Sequence, residues 1–575
     1  MSVVDTSVYE FGKYRLDAEV RRLTRNGKIV VLTAKVFDVL LLLIQARGEV
    51  VTKEELMRAV WNDEIVEENN LTVAVSALRK ALGDKYGNRE YIETVPKRGY
   101  RFVSRVKERR GGLSDEQIEP IRSLAVLPFV NESRDSAFAY VSDGITESLI
   151  NTLSMLPGLR VMARATVFNF KGQTDIEQIR RKINVDAVLT GSVLCTRDRL
   201  AVTVKLVNTV TGAQLWSGRY EKRNSEIVRA QDEIANEVAA RLKPRLSHPP
   251  ETFTRGHTVN GEAYHRYLKG RYFWNLRTEE GIRKGSLYFK KAIELDGSFA
   301  LAITGLADSY ISQALWNVLP TKKAFHKARK AIAEAIRIDP DLPNAHASLA
   351  YIDLHSLKWK EAEKGFRRAL KLNPHDPTIL KWYSLLPAAK GCFDEALEIA
   401  HRAKQRDPLS PLMYAHIARL FYYAGKYPLA EEQCSEAIEM YPSSPLAHAV
   451  LGAVLLRRQM LDDATDEIQK CIKLSAGDPE ALGLLAYAQA LSGAHRKARK
   501  TIDRLAQLST TRYIPPHFTA IIYIGLGDFD NAFKWLENTF VQQGYALTFL
   551  KVLPIFTDLR SDPRYDKLLR RAGLN

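Results

Sequence analysis

A run of side chains suited to contacting nucleic acid lies between residues 68 and 82. The members that share one helix face are Asn69, Thr72, Val73, Ser76 and Lys80, with Arg79 at the flank. Amide, hydroxyl and cationic groups on an exposed helix can hydrogen-bond to base edges and phosphates in the major groove of DNA. Small neighbours such as Ala74 and Ala77 let such a helix lie close to the groove. The pattern therefore predicts a DNA-binding helix over residues 68–82.

The opposite face of this stretch must be buried. Leu71, Val75, Leu78 and Leu82 recur at spacings of four, three and four, which places them on one side of an α-helix. Gly83 follows them, and glycine commonly ends helices. We expect these leucines and the valine to hold the helix on a core while its polar face stays in solvent.

A cationic hairpin is predicted beside this helix. It covers residues 91–102, with its tip at 96–99 and with Lys97, Arg98 and Arg101 at or beside the tip. Eight basic and three acidic residues fall between positions 89 and 110. Such a hairpin can enter a minor groove or contact phosphates. The alternative is that the helix face and the hairpin are merely solvated surface, but their coincidence with a basic excess favours DNA binding.

The elements that must position these two features precede them in the chain. The predicted elements are strands at 9–17 and 22–32, helices at 34–46 and 53–61, and a loop at 62–67. Asn26-Gly27 marks a turn, and Thr33 is placed to cap the first helix. Thr52 and Glu55 have the spacing of a capping box, which predicts the start of the second helix.

In this order, the motifs resemble the OmpR/PhoB-type winged-helix DNA-binding domain over residues 8–105. The matching residues are Leu32-Thr33, Glu55-Leu56, Val60-Trp61, Leu78-Arg79-Lys80-Ala81-Leu82-Gly83-Asp84, Thr94-Val95 and Gly99-Tyr100-Arg101-Phe102. The resemblance implies sequence-specific promoter binding, usually at tandem half-sites, and contact of the 61–68 loop with RNA polymerase. No receiver domain precedes this module, so phosphorylation of a receiver aspartate is not the expected switch.

Residues 121–246 are predicted to form a mixed α/β domain, because strands and helices alternate there before a strand meander. The region resembles the TolB N-terminal-like domain through Ala125-Val-Leu-Pro-Phe-Val-Asn131, Asp143-Gly-Ile-Thr-Glu147 and the segment 186–193. That resemblance implies a coupling or sensing role. Asp143-Gly144 and Arg164 could form an anion site at a helix start, but a helix cap and a surface arginine are the favoured interpretation.

A helical array follows, over residues 262–575. Asp339-Pro340, Asn373-Pro374, Asp407-Pro408 and Tyr441-Pro442 are 34 residues apart, and this period resembles that of tetratricopeptide repeats. The repeats predict a surface for a protein or peptide partner, or for self-association as a homodimer. Seven aromatic residues are candidate anchors, although core packing is favoured for most: Tyr351, Trp359, Trp382, Tyr383, Tyr422, Tyr423 and Tyr487. Residues 549–574 are predicted to cap an open solenoid.

Composition limits the classes of protein that fit. The 575 residues are 46% hydrophobic and carry a net charge of +17, which invites a polyanion partner without proving one. We expect no membrane span, no signal peptide and no disulfide framework from the four cysteines. The sequence has no phosphate-binding loop, metal-ligand cluster or hydrolase motif, so no catalytic residue, cofactor or metal is predicted.

The predicted fold is multi-domain: a winged helix-turn-helix (α+β), a mixed α/β middle domain and an all-α tetratricopeptide solenoid, joined by linkers at 106–120 and 247–261. The predicted function is a cytoplasmic one-component transcription regulator that binds double-stranded promoter DNA. The arrangement resembles a CadC-like architecture without the transmembrane helix, and we expect the middle domain and repeats to receive a signal from a ligand or protein. The alternative is a repeat-based interaction scaffold for which DNA binding only provides localisation.

Overall fold

The structure is a computed structural model, and it divides the chain into two compact units, residues 1–119 and 120–575. The residues that it describes are 8–18, 22–25, 28–30, 32–60, 69–83, 91–96, 98–109, 121–133, 135, 138–156, 158–173, 175–242, 258–475 and 477–575. The predicted turn at Asn26-Gly27 and loop at 62–67 lie outside them, as does most of each predicted linker.

The described residues of the first unit form two antiparallel sheets and three helices. Its elements are β1 (Val8–Phe11), β2 (Tyr14–Asp17), β3 (Arg22–Arg25), β4 (Lys28–Val30), α1 (Ala34–Gln45), β5 (Val50–Thr52), α2 (Lys53–Val60), α3 (Asn69–Leu82), β6 (Ile92–Val95), β7 (Gly99–Phe102) and β8 (Lys107–Arg109). The strand orders are β4-β3-β2-β1-β8 and β5-β7-β6. This is the predicted winged-helix arrangement.

Three local features of this unit differ from the sequence prediction. The expected single strand at 9–17 is two strands, because Gly12 adopts a left-handed φ of +53° and the chain reverses there. Thr33 precedes α1, but its side chain makes no capping hydrogen bond. Strand β8 lies inside the predicted 106–120 linker, because its backbone pairs with β1 and completes the sheet.

The capping box before α2 is confirmed. The backbone N–H of Thr52 donates to Glu55 Oε2 at 2.8 Å, and the N–H of Glu55 donates to Thr52 Oγ1 at 3.2 Å. These bonds satisfy two amide donors that the first turn of a helix leaves free. The Thr52 N–H and the Thr52 hydroxyl both donate to the Glu55 carboxylate, and these bonds hold its pKa below its ordinary value.

The second unit begins with a mixed sheet covered by helices. Its elements are β9 (Ser123–Val126), β10 (Val130–Asn131), α4 (Ala139–Leu153), β11 (Arg160–Val161), α5 (Arg164–Val167), α6 (Ile176–Ile183), β12 (Ala187–Cys195), β13 (Arg199–Asn208), β14 (Gln214–Arg223) and α7 (Ile227–Leu242). The strand order is β11-β9-β12-β13-β14, with β10 also paired to β12. Strand β9 runs parallel to β11 and β12, whereas β12, β13 and β14 form an antiparallel meander.

The repeat array is helical from residue 261 onward. Its helices are α8 (Gly261–Asn275), α9 (Glu279–Leu295), α10 (Ala300–Leu315), α11 (Thr321–Ile338), α12 (Pro343–His355), α13 (Trp359–Leu372), α14 (Pro377–Lys390), α15 (Phe393–Lys404), α16 (Pro411–Tyr423), α17 (Tyr427–Met440), α18 (Pro445–Arg457), α19 (Leu461–Leu474), α20 (Pro479–Leu491), α21 (His495–Leu508), α22 (Pro516–Gly525), α23 (Phe529–Val541) and α24 (Pro563–Ala572). Two 3₁₀ segments, Tyr545–Phe549 and Pro554–Leu559, precede α24. Alanines that recur every 34 residues, such as Ala328, Ala362 and Ala396, are fully buried.

The middle domain packs directly against the array. Thr166 Oγ1 donates to Asp407 Oδ1 at 2.8 Å, and Tyr441 OH donates to Asn169 Oδ1 at 2.7 Å. Asp407 and Tyr441 are 34 residues apart, so the same position in successive repeats contacts the domain. One hydrophobic cluster joins the two parts: it includes Ile145 of α4 together with core residues of the first repeats.

The C-terminal segment is more than an end cap. His355 Nδ1 and Thr548 Oγ1 are 2.8 Å apart, and Trp359 Nε1 donates to the carbonyl oxygen of Ala572 at 2.8 Å. These partners are 193 and 213 residues apart in sequence. The segment therefore returns to α12 and α13, and the solenoid is not open along its whole length as predicted.

Among the residues that the structure describes, no helix is both long and apolar enough to cross a membrane.

Candidate nucleic-acid interface

Helix α3 rests on the core of the first unit through its apolar face. Leu71, Val75, Leu78 and Leu82 are each no more than 1% exposed. They belong to one cluster with the aromatic side chains of both sheets. Tyr14 OH also donates to the carbonyl oxygen of Leu82 at 2.8 Å, which fixes the C-terminal end of the helix. The predicted buried face is the observed one, but Ala74, predicted to let the helix lie close to the groove, is buried with it at 5% exposure.

The opposite face of α3 is in solvent. Thr72, Ser76 and Lys80 are exposed, and Val73 is 61% exposed. The side chain of Val73 does not contribute to the core, but it is suited to contact the methyl group of thymine. Together these side chains offer hydroxyl, ammonium and methyl groups to one surface.

Arg79 joins this helix to the hairpin. Its Nη2 donates to Thr94 Oγ1 at 2.7 Å and to the carbonyl oxygen of Ile92 at 3.1 Å, and both acceptors lie on β6. Its guanidinium group also lies 5.8 Å from the centre of the Tyr100 ring. These bonds fix the angle between α3 and the hairpin, so we interpret Arg79 as a positioning residue as well as a predicted DNA contact.

The hairpin has the predicted register, with Val95 opposite Gly99. Arg98 is exposed beside the tip. Arg101 lies on β7, where it forms an ion pair with Glu93 at 2.6 Å across the hairpin. A Cβ atom at position 99 would lie 2.0 Å from the carbonyl oxygen of Val51, so only glycine lets β5 approach β7 this closely. Strand β5 was not predicted, although its Val-Val-Thr sequence favours a strand.

Two predicted contacts cannot be placed. Asn69 begins α3, but its side chain is outside the described part of the chain, and so is the whole of Lys97. The loop predicted to contact RNA polymerase, residues 61–68, is also outside it. The assignment of Asn69, Thr72, Val73, Ser76, Arg79, Lys80, Lys97, Arg98 and Arg101 to DNA contact stays a prediction.

The favoured interpretation of the middle domain's Asp143 and Arg164 needs one correction. Asp143 does not cap a helix, because α4 begins four residues earlier, at Ala139, and buries Asp143 in its second turn. Its carboxylate accepts from Lys171 Nζ at 2.7 Å. The guanidinium of Arg164 lies 3.7 Å from the centre of the Phe168 ring. Both side chains thus have intramolecular partners.

Glu147 of α4 is the centre of a buried ionic cluster between the middle domain and the array. It accepts from Arg271 Nε at 2.8 Å and from Asn275 Nδ2 at 2.7 Å, and Arg164 Nε lies 3.1 Å away. Burial alone would raise the pKa of this carboxyl, but the two arginines outweigh it and lower the pKa. Glu147 is therefore a charged connection from α4 to α8.

A cavity of about 110 Å³ lies beside this cluster. Its walls come from α4, α8, α10 and the turns before α12 and α14. Burial raises the pKa of Asp308, one of the lining residues, to about 6, although Ser348 donates to it at 2.6 Å. Residues of both the middle domain and the repeats border this cavity.

The predicted aromatic anchors of the array mostly pack within it. Tyr351, Tyr422 and Tyr487 are no more than 6% exposed. Tyr423 lies 5.1 Å from Phe549, measured between ring centres, and so contacts the C-terminal segment rather than solvent. Among the described residues, no group of histidine, cysteine or acidic side chains has the geometry of a metal site.

Three family models match the chain in the predicted order. They are "Transcriptional regulatory protein, C terminal" at residues 27–102, "HilA/YgeH-like transcriptional regulator, second domain" at 121–237 and "Tetratricopeptide repeat" at 417–479. The chain thus contains an OmpR/PhoB-type domain, a HilA/YgeH-like second domain and tetratricopeptide repeats. The resemblance of the middle domain to the TolB N-terminal-like domain stays a prediction.

Similar proteins include several regulators. Transcriptional regulator HilA of Salmonella typhimurium (strain LT2) is 25% identical over 67% of this chain and 68% of its own length. Transcriptional activator CadC of Escherichia coli (strain K12) is 35% identical over 17% of this chain and 19% of its own length. A protein of Rhizobium meliloti (strain 1021), named as a candidate adenylate cyclase 3, is 34% identical over 41% of this chain, which spans 40% of that protein.

Proposed function

We propose that this chain, with its OmpR/PhoB-type domain, HilA/YgeH-like second domain and tetratricopeptide repeats, is a transcription regulator that binds promoter DNA in the cytoplasm. Helix α3 enters the major groove, and the hairpin of β6 and β7 contacts the neighbouring backbone or minor groove. Copies bound at tandem half-sites present the 61–68 loop to RNA polymerase. The named relatives HilA and CadC, a regulator and an activator of transcription, support this assignment.

The proposal rests on one observation: the exposed face of α3 and the exposed β6–β7 hairpin are held together in a fixed orientation. Thr72, Val73, Ser76 and Lys80 face solvent on a helix whose other side is buried. Arg79 holds that helix to the hairpin that carries Arg98. A solvated helix face needs no such connection, whereas groove reading needs side chains held in one orientation.

The second unit is proposed to receive the signal. The cavity beside Glu147 is bounded by both the middle domain and the repeats, so a ligand there would stabilise one arrangement of these parts over others. The repeat surface is proposed to bind a protein or peptide partner. No catalytic role is proposed for either part.

The salt dependence of DNA binding tests the proposed orientation. Each phosphate contact contributes about 0.9 to the slope of log K against log salt concentration. Replacing Lys80 or Arg98 with glutamine in the full chain should therefore reduce the slope by about one unit each. Lys13→Gln, at the exposed β1–β2 turn, is the matched control and should leave the slope unchanged. Equal slopes for all three variants and the natural protein would contradict the proposal.

A further inference from the structure

Helix α21 has an exposed face rich in cations, which also includes Asp503. Its solvent side carries Arg496, Lys497, Arg499, Lys500 and Arg504, all of them exposed. Asp503 is the one acidic residue in the helix sequence. Ala498 and Leu505 are buried on the other side and attach the helix to its repeat.

These cations differ from several arginines on other helices of the array, which have counter-ions. Arg283 on α9, Arg337 on α11 and Arg367 on α13 each pair with a glutamate three or four residues earlier, at 2.7–2.9 Å. Within the described part of the chain, none of the five α21 cations forms a salt bridge. Arg499 acts at longer range on Asp528, whose carboxylate is already held by Asn531 at the start of α23.

The spacing of these cations destabilises the isolated helix. Arg496, Lys500 and Arg504 are four residues apart, so they form one row along the helix. Like charges at this spacing repel each other and weaken a helix. At a rise of about 1.5 Å per residue, the row extends about 12 Å. A row of that length faces several successive phosphates of a DNA strand, which repeat about every 3.4 Å along the duplex axis.

Other exposed cations lie on the array, among them Lys322 and Lys323 of α11. The array also carries most of the charge excess: residues 251–575 contain 45 Lys and Arg against 35 Asp and Glu.

We infer that the outer face of α21 is a second DNA-binding surface, which takes the phosphate backbone of the duplex held by the winged helix. The inference rests on the proposed function for its choice of polyanion. Both units belong to one chain, so DNA bound by the first unit is at a raised effective concentration for the second.

The test measures binding of the full chain to a 60-base-pair duplex of arbitrary sequence at several salt concentrations. The variant combines Arg496→Gln, Lys500→Gln and Arg504→Gln. Loss of three phosphate contacts reduces the slope of log K against log salt concentration by about 2.7. The ratio of the natural protein's affinity to that of the variant therefore falls about 40-fold between 50 and 200 mM salt. The matched control combines Arg283→Gln, Arg337→Gln and Arg367→Gln, and it should retain the natural slope because those arginines are already paired.

The outcomes separate this inference from the proposed function. An α21 variant with the natural slope overturns the inference, even if Lys80→Gln and Arg98→Gln behave as expected. Conversely, if the natural protein shows no sequence preference, promoter recognition is refuted. The salt dependence of binding of the α21 variant to arbitrary DNA still decides the present inference. Loss of binding to phosphatidylglycerol vesicles without a change on DNA would assign the surface to lipid and also overturn it. Glutamine retains helix propensity, and an unchanged thermal unfolding profile verifies the fold of both variants.

Discussion

Replacing Glu147 with glutamine should weaken the interaction between the middle domain and the array. Glu147 is only 6% exposed and contacts Arg271, Asn275 and Arg164 at 2.7–3.1 Å. Glu147→Gln leaves the buried guanidinium of Arg271 without its anion. Breaking a buried ion pair by removing one partner costs about 3–5 kcal/mol. We expect the free energy of unfolding of the second unit to fall by about that amount.

The assay is equilibrium urea unfolding of the full chain, followed by circular dichroism. Glu177→Gln is the matched control: Glu177 forms an ion pair with Arg181 at 2.5 Å but is 66% exposed. Exposed pairs contribute about 0–1 kcal/mol, so this variant should differ little from the natural protein. The double variant Glu147→Gln, Arg271→Gln should recover part of the loss, because it also removes the more buried of the two arginines that pair with Glu147. Equal midpoints for Glu147→Gln and Glu177→Gln, or strictly additive losses in the double variant, would refute the reasoning.

The pH dependence of stability provides an independent test of the contribution of Glu147. Because the folded protein lowers the pKa of Glu147, its contribution is fully present above the ordinary glutamate value of 4.5. The contribution is lost as pH falls through the lower folded pKa. The difference in unfolding free energy between the natural protein and Glu147→Gln should therefore shrink as pH falls below that ordinary value.

Three further substitutions test other parts of the fold. Gly99→Ala places a Cβ atom 2.0 Å from the carbonyl oxygen of Val51, and it should cost about 1–3 kcal/mol in thermal unfolding of the first unit; an unchanged melting temperature would contradict this. Trp359→Phe removes the hydrogen bond to Ala572 and should cost about 1 kcal/mol, with faster proteolysis of the C-terminal segment as the readout. Arg79→Lys keeps the charge but not the paired donors, so DNA affinity should fall while its salt slope stays the same.

Sequence patterns were sufficient to predict most elements of the winged helix. The spacing of Leu71, Val75, Leu78 and Leu82 predicted both faces of α3, because a helix fixes which residues share a side. Thr52 and Glu55 predicted the start of α2, because a capping box is a local interaction. Non-local pairing was not predictable in this way. Strands β5 and β8 are three residues each, and their partners lie about 50 and 100 residues away in sequence.

The role of Arg79 shows the same limit within the candidate interface. Its position beside the polar face predicts a DNA contact, but its hydrogen bonds to β6 depend on how the hairpin packs. The array gives a second example. The 34-residue period predicted the repeats, whereas the contacts of Asp407 and Tyr441 with the middle domain depend on how the two parts meet.

The central claim is that the exposed face of α3 reads DNA sequence. Its most direct test is selection from a random duplex library by the full chain and by a variant combining Thr72→Ala and Ser76→Ala, neither of which carries charge. The account predicts that the natural protein enriches a defined sequence and that the variant enriches a different one or none. If the natural protein enriches no sequence, or both proteins enrich the same one, α3 does not read bases and the account is wrong.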